Sequence, residues 1–256
     1  MLLAMDVGNT NTVLGLFEED ALVHDWRIRT EVHMTEDEYG ILLKNLLETQ
    51  DLPLSVITDV IVSCVVPPVL NHIEGFCHKY FETEPLVVGP GIRTGMPILY
   101  DNPKEVGADR IVNAVAAYET FRSAVIVVDF GTATTFDYVS ERGEYMGGVI
   151  CPGILISCEA LFQKASKLPR VEIFAKPKSI LAKNTIASMN AGIVYGYAGL
   201  VEGIIARMKR EIQKPLAVVA TGGLAPLIAS ECPAIEKVDD FLTLKGLKIL
   251  FERNRR

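Results

Sequence analysis

Two short polar runs hold the residue types from which a phosphate site can be built. Asp6-Val7-Gly8-Asn9-Thr10-Asn11-Thr12 follows one apolar run, and Asp129-Phe130-Gly131-Thr132-Ala133-Thr134-Thr135 follows another about half a chain length later. In an ungapped alignment the Asp, the Gly and the final Thr coincide. An Asp that ends a buried strand projects its carboxylate at the strand's C-terminal edge, where it can position a hydrated cation. The following Gly lets the backbone turn sharply and approach a ligand with no Cβ in the way. The small donors Asn9, Thr10 and Thr132 can then hold a phosphate with little formal charge. Either run alone reads equally well as a polar hairpin turn. Together, each preceded by a strand and followed by a hairpin, they read as a duplication whose copies clamp a polyphosphate.

A third element fits a nucleotide. The apolar run Leu216–Ala220 enters Thr221-Gly222-Gly223, and paired glycines at a strand-to-helix turn leave a flat surface suited to adenine or ribose. Other nucleotide motifs are missing: there is no GxxxxGK[ST]. Gly89-Pro90-Gly91-Ile92-Arg93-Thr94-Gly95 has its third glycine one residue late for a dinucleotide turn, and no convincing helix follows, so it reads as a loop.

The elements that must position these turns follow from periodicity. Strands are predicted at 2–7, Thr12–Glu18 and Ala21–Arg29, then a helix from Thr35 with Glu38 closing a capping box. Val60–Val66 reads as a strand, Pro67 opens a helix to Phe81, and a further helix spans Ala108 to Phe121. The second half repeats the pattern with strands at Ala124–Asp129, Phe136–Val139 and Tyr145–Ile150. Helices near Ile154–Ala165 and Ser188–Glu211, a strand at Leu216–Ala220 and a helix near Thr243–Phe251 complete it. The division expected is an N-terminal half of residues 1–117 and a C-terminal half of residues 118–256.

Composition sets the class. With 256 residues, 49% hydrophobic and 22% charged, the chain can bury a core of one large or two small domains. Its net charge of −7 argues against nucleic acid as a partner, and the terminal Arg253–Arg256 run reads as a frayed tail. No basic start with a cleavage site and no apolar run of membrane-spanning length is seen, so no membrane partner is expected. Five cysteines without a CxxC pair read as reduced thiols of a cytoplasmic protein. The four histidines all lie in the first third, outside every motif, which leaves acid–base chemistry to a carboxylate.

Two phosphate hairpins with a late Gly-Gly turn resemble the actin, Hsp70 and sugar-kinase superfamily, and further motifs narrow the resemblance to type III pantothenate kinases. These are Gly107-Ala108-Asp109-Arg110, Gly147-Gly148 with Pro152-Gly153, Lys167-Leu168-Pro169, Lys183-Asn184-Thr185 with Ser188-Met189, and Leu242-Thr243-Leu244. Their order and spacing match that family from end to end. Asn190, where Gln is expected, and Cys151 beside Pro152 depart from its pattern. The resemblance implies an α/β fold of duplicated actin-like (ribonuclease H-like) domains with mixed sheets and an ATP cleft between them. It implies transfer of the ATP γ-phosphate to the primary hydroxyl of pantothenate, the first step toward coenzyme A, by a homodimer using K⁺ or NH₄⁺ and Mg²⁺ with ATP.

Residue roles follow from the matched positions. Asp109 is the expected general base; beside a helix N-terminus its pKa is expected to be low, which a loose phosphoryl-transfer transition state tolerates. The alternative is a helix cap. Arg110 would fork onto a carboxylate or phosphate, or else form a salt bridge. Asp6, Val7, Gly8, Asn9, Thr10, Asn11, Thr12 and Val13, with Gly131, Thr132, Gly222 and Gly223, are the expected ATP contacts. Asp129 is assigned to the monovalent cation and Asp6 to magnesium. Tyr100, Thr185 and the run Gly107, Ala108, Asp109 and Arg110 are the expected substrate contacts, although Tyr100 reads equally as core. Another small-molecule kinase or a phosphatase of the superfamily, and a non-catalytic regulatory relative, are the rival functions. A chaperone-like ATPase module would need a peptide-binding domain for which the chain has no room.

Overall fold

The computed structural model describes residues 1–171 and 176–255, so Arg256 of the basic run lies outside the described residues. The chain folds as two compact units. One comprises Met1–Pro97, Asp101–Ala116 and Leu242–Arg256, the other Ile98–Tyr100 and Ala117–Phe241.

In the first unit, β1 (Leu2–Val7), β2 (Asn11–Glu18), β3 (Ala21–Arg29), β4 (Asp59–Cys64) and β5 (Leu86–Val87) form one sheet in the order β3-β2-β1-β4-β5. β1 runs antiparallel to β2 and parallel to β4. Leu2–Met5 and Val7 are all buried, as a central strand covered on both faces requires. Helix α1 (Glu36–Glu48) starts at the predicted capping box: Thr35 N donates to Glu38 Oε2 at 2.7 Å and Glu38 N to Thr35 Oγ1 at 3.4 Å. α2 (Pro67–Phe81) opens on Pro67-Pro68, and Phe76 packs edge-on against Phe81 at 5.0 Å. α3 (Ala108–Phe121) carries the run of buried small residues Val112 and Ala114–Ala117.

The second unit repeats the sheet. β6 (Val125–Phe130), β7 (Ala133–Val139), β8 (Tyr145–Pro152), β9 (Ala217–Thr221) and β10 (Lys237–Val238) lie in the order β10-β9-β6-β7-β8. β6 is antiparallel to β7 and parallel to β9, so it stands where β1 stands in the first sheet. α4 (Ile154–Lys164), α5 (Thr185–Ile212) and α6 (Ala225–Ala229) complete this unit. α5 is the one helix among the described residues long and apolar enough to cross a membrane. Its Val194, Val201 and Ile205 instead pack with Ile126, Val128 and Phe136 in the second core, as those of a core helix do.

The last helix, α7 (Leu242–Asn254), returns to the first unit. The expected division at residues 117/118 lies beside the boundary at Ala116–Ala117; the chain also changes unit on either side of Ile98–Tyr100 and again at Phe241–Leu242, where α7 crosses back. The reason is close packing. A Cβ on Gly246 would lie 2.3 Å from Val112 O, and one on Gly15 would lie 2.8 Å from Leu244 Cδ1. Thr243 Oγ1 also donates to the buried Asn113 Oδ1 at 2.7 Å.

Candidate active site

Asp6 stands near the end of β1, opposite Val13 on β2 and Ser63 on β4. The turn that follows closes through Gly8 N donating to Asn11 O at 3.0 Å. Asn9 and Thr10 are exposed at its tip, Gly8, Asn11 and Val13 are half-buried, and Val7 is buried. Thr12 is also buried. Thr30 Oγ1 donates to Gly8 O at 2.7 Å, so the 2.9 Å contact between the two hydroxyls has Thr12 donating to Thr30. Thr30 N further donates to Thr10 O at 3.0 Å. The Thr12 hydroxyl is therefore engaged beneath the turn, and Thr30, not singled out from sequence, braces the turn from below.

Asp129 occupies the matching place on β6, opposite Thr135 on β7 and Thr221 on β9. Here Gly131 N donates to Ala133 O at 3.0 Å, so this turn is one residue shorter than the first. Val7 pairs with Thr12, whereas Phe130 pairs with Thr134. The ungapped alignment equated Thr12 with Thr135; the strand register equates it with Thr134, and both are fully buried. Thr132 and Gly131 are exposed.

Two glycine turns press on this second loop. Gly222 has φ +94°, and a Cβ there would lie 2.7 Å from Phe130 O and 2.8 Å from Asp129 Oδ1. Only glycine allows that backbone both its conformation and its approach; Gly223 beside it is exposed. A Cβ on Gly153 would lie 2.1 Å from Thr132 O and 2.7 Å from Gly131 O. Gly153 is the N-cap of α4 and offers no side-chain cap. The N-terminus of α4 is thus held beside the Gly131–Thr132 turn, where its N–H groups and dipole favour negative charge. The Tyr197 hydroxyl, 3.1 Å from Pro152 O and 3.0 Å from Gly153 O, anchors that helix start.

In the first unit, Asp109 lies in the first turn of α3. Its Oδ1 accepts from Arg110 N at 2.8 Å, and a Cβ on Gly107 would lie 2.5 Å from the same oxygen. Gly107 therefore clears the space into which the carboxylate folds. The expected low pKa of Asp109 is overturned. Burial raises it above the usual carboxylate value, outweighing the lowering effect of the Arg110 N–H bond and the Arg110 charge. Arg110 is itself buried, and Gly107 and Ala108 are half-buried. A raised pKa makes Asp109 a better proton acceptor than a cap at an exposed helix end.

Tyr100 and Thr185 belong to the second unit. Tyr100 is half-buried, with its ring 6.4 Å from that of Tyr145. Thr185 is exposed as the first residue of α5, after Asn184, whose Oδ1 accepts from Ala187 N at 2.9 Å. Gly153, Thr30, Tyr197 and Tyr145 carried no individual role in the sequence reading. The Pro152-Gly153 and Gly147-Gly148 motifs were the signal that pointed nearest to them. Among the described residues, no three His, Cys, Asp or Glu side chains converge as a metal cage. Asp6 and Asp129 each stand beside a polar turn, and single carboxylates of this kind suit a cation that completes its shell with oxygen ligands from elsewhere.

Comparison with known proteins gives a consistent picture. The family model for type III pantothenate kinase matches residues 2–207. A type III pantothenate kinase of Syntrophobacter fumaroxidans is 74% identical over 100% of this chain and 99% of its own length. One from Syntrophus aciditrophicus is 64% identical over 99% of this chain and 100% of its own. Among solved structures, an inorganic polyphosphate/ATP-glucomannokinase from Arthrobacter superposes with a TM-score of 0.51 at 11% identity, covering 99% of both chains. That last likeness speaks to the fold, which is of the actin-like sugar-kinase kind.

Proposed function

The chain belongs to the type III pantothenate kinase family, and we propose that it transfers the γ-phosphate of ATP to the primary hydroxyl of pantothenate, giving 4′-phosphopantothenate and ADP on the way to coenzyme A. The observation that carries this reading is full-length family identity combined with a half-buried Asp109 at the head of α3 whose pKa desolvation raises. In this reading the Asn9–Thr10 and Gly131–Thr132 turns donate to the ATP phosphates. Gly222-Gly223 offers a flat face to the nucleoside. The Asp109 carboxylate orients the pantothenate hydroxyl and takes its proton as the new P–O bond forms and the bond to the β-phosphate oxygen breaks. Arg110, Tyr100 and Thr185 contact pantothenate.

Asp6 would hold Mg²⁺ carried by ATP, and Asp129 a monovalent cation, K⁺ or NH₄⁺. These ions neutralise charge on the phosphates. A homodimer is part of the proposal. Exposed apolar residues on β8 and α4, namely Met146, Ile150, Leu155 and Ile156, are consistent with a covered face there. α5 devotes Val194, Val201 and Ile205 to its own core. Five free thiols, with Cys77 and Cys232 buried, suit a reducing cytoplasm.

The decisive experiment is a coupled ADP-release assay with ATP and Mg²⁺, with and without pantothenate, in K⁺ and then in Na⁺. Turnover that requires pantothenate and K⁺ is expected. ADP release indifferent to pantothenate would point to another small-molecule kinase of the superfamily.

A further inference from the structure

The second unit buries a carboxylate that the proposed reaction does not use. Asp137, on β7, is 1% exposed, and its Oδ1 accepts from the hydroxyl of Tyr145 at 2.6 Å. Tyr145, at the start of β8, is fully buried. Thr135 Oγ1 donates to the other oxygen, Oδ2, at 3.3 Å. A buried carboxylate carries a desolvation cost that an apolar side chain of similar volume would not. Such a pair contributes a fixed direction more than it contributes stability.

What it directs is visible around Tyr145. Leu99 N donates to Tyr145 O at 2.8 Å, and Ile98 pairs with Tyr145 as an isolated parallel bridge. The segment Ile98–Tyr100 thereby joins the second unit although residues on both sides of it belong to the first. The Tyr100 ring then lies against the Tyr145 ring, 6.4 Å between centroids and tilted by 58°. Two glycines further along β8 border this contact. A Cβ on Gly148 would lie 3.0 Å from Asp137 Oδ1 and 1.9 Å from Phe136 O; one on Gly147, at φ +110°, would lie 3.6 Å from the Tyr100 ring. At Gly147 it is the positive φ that calls for glycine, with the Tyr100 ring in ordinary contact distance, while Gly148 admits the strand beside Asp137.

We propose that Asp137 and Tyr145 are positioning residues for pantothenate recognition: the Asp137 carboxylate orients Tyr145 through its hydroxyl, and Tyr145 in turn holds the Ile98–Leu99 backbone and the ring of Tyr100. This rests on the assignment of Tyr100 as a pantothenate contact. An interaction that only places a substrate-binding ring acts on ground-state binding of that substrate, and leaves ATP binding and the chemical step nearly alone.

The test is steady-state kinetics on Tyr145→Phe and Asp137→Asn, each alone and combined with Tyr100→Ala. Tyr145→Phe should raise KM for pantothenate about tenfold, with kcat and KM for ATP changing less than about threefold. On the Tyr100→Ala background neither variant should raise it further, because a residue acting through Tyr100 has nothing left to position. Unchanged KM for pantothenate in Tyr145→Phe overturns the proposal. So does a parallel rise in both KM values, or a full additional rise on the Tyr100→Ala background. Tyr145→Phe deletes one oxygen and keeps the ring, and it decides the matter if Asp137→Asn does not fold. Wild-type enzyme that ignores pantothenate would instead overturn the proposed reaction. A Tyr100→Ala variant with normal KM would overturn the contact on which the pair acts.

Discussion

At the residue scale, Asp109 shows how position and burial compete. The helix N-terminus and the Arg110 N–H favour its ionised form, yet desolvation wins and its pKa is raised. In the folded state it binds a proton more readily than in the unfolded chain. Stability contributed by this group therefore falls as pH rises from the unfolded pKa through the folded one, and the deficit persists at neutral pH. Asp109→Asn should accordingly raise Tm at pH 7, and the gain should vanish in acid, where wild-type Asp109 is protonated. The same variant should lower kcat by about two orders of magnitude or more with ATP binding nearly intact, as ADP release and ATP titration would show. Full activity would remove Asp109 from the base role. The acid limb of wild-type kcat/KM should likewise lie above the ordinary carboxylate range. Asp129 carries a separate expectation. Asp129→Ala should lose activation by K⁺ over Na⁺, and an unchanged K⁺ response would place the cation elsewhere.

At the element scale, much was legible because the signals are local. The Thr35–Glu38 box, Pro67 at a helix start and the Ala21–Arg29 strand depend on residues within a turn or a hairpin, and each is found where periodicity placed it. The shorter second loop was not legible, because strand register is set by which hydrogen bonds close a turn, and Gly131 bonds two residues on where Gly8 bonds three. Nor was the seating of α4 against that loop, since the approach of Gly153 to Thr132 joins residues on different elements. That approach can be tested directly. A methyl group on Gly153 must push the α4 start away from the Gly131–Thr132 carbonyls by an ångström or so, and its N–H groups move with it. Gly153→Ala should raise KM for ATP about tenfold while the far-UV circular dichroism stays native. An unaltered KM for ATP would mean the α4 N-terminus does not serve the nucleotide.

At the scale of the whole molecule, the duplication was readable from Asp6–Thr12 and Asp129–Thr135, and the two sheets share one strand order. The crossing of α7 back to the first unit was hidden. An amphipathic stripe on a terminal helix announces that it packs, but not on which of two similar sheets. The structure gives the answer in Gly15, Val112 and Asn113, residues far earlier in the chain that meet Leu244, Gly246 and Thr243. Leu242, Leu244, Leu247 and Leu250 are all buried there. At about 1.5–3 kcal/mol each, they contribute roughly as much as the ~5–15 kcal/mol net stability of an ordinary domain. A chain ended after Phe241 should therefore leave the first unit unfolded while the second, which owns none of α7, keeps its own core. Urea titration followed by Trp26, on β3 of the first unit, reads the former separately from the whole-chain circular dichroism. The expected result is a Trp26 signal already denatured in water, with part of the helical signal retained and lost cooperatively at higher urea. A truncated chain whose Trp26 transition matches the full-length one would show that the first unit stands without its terminal helix.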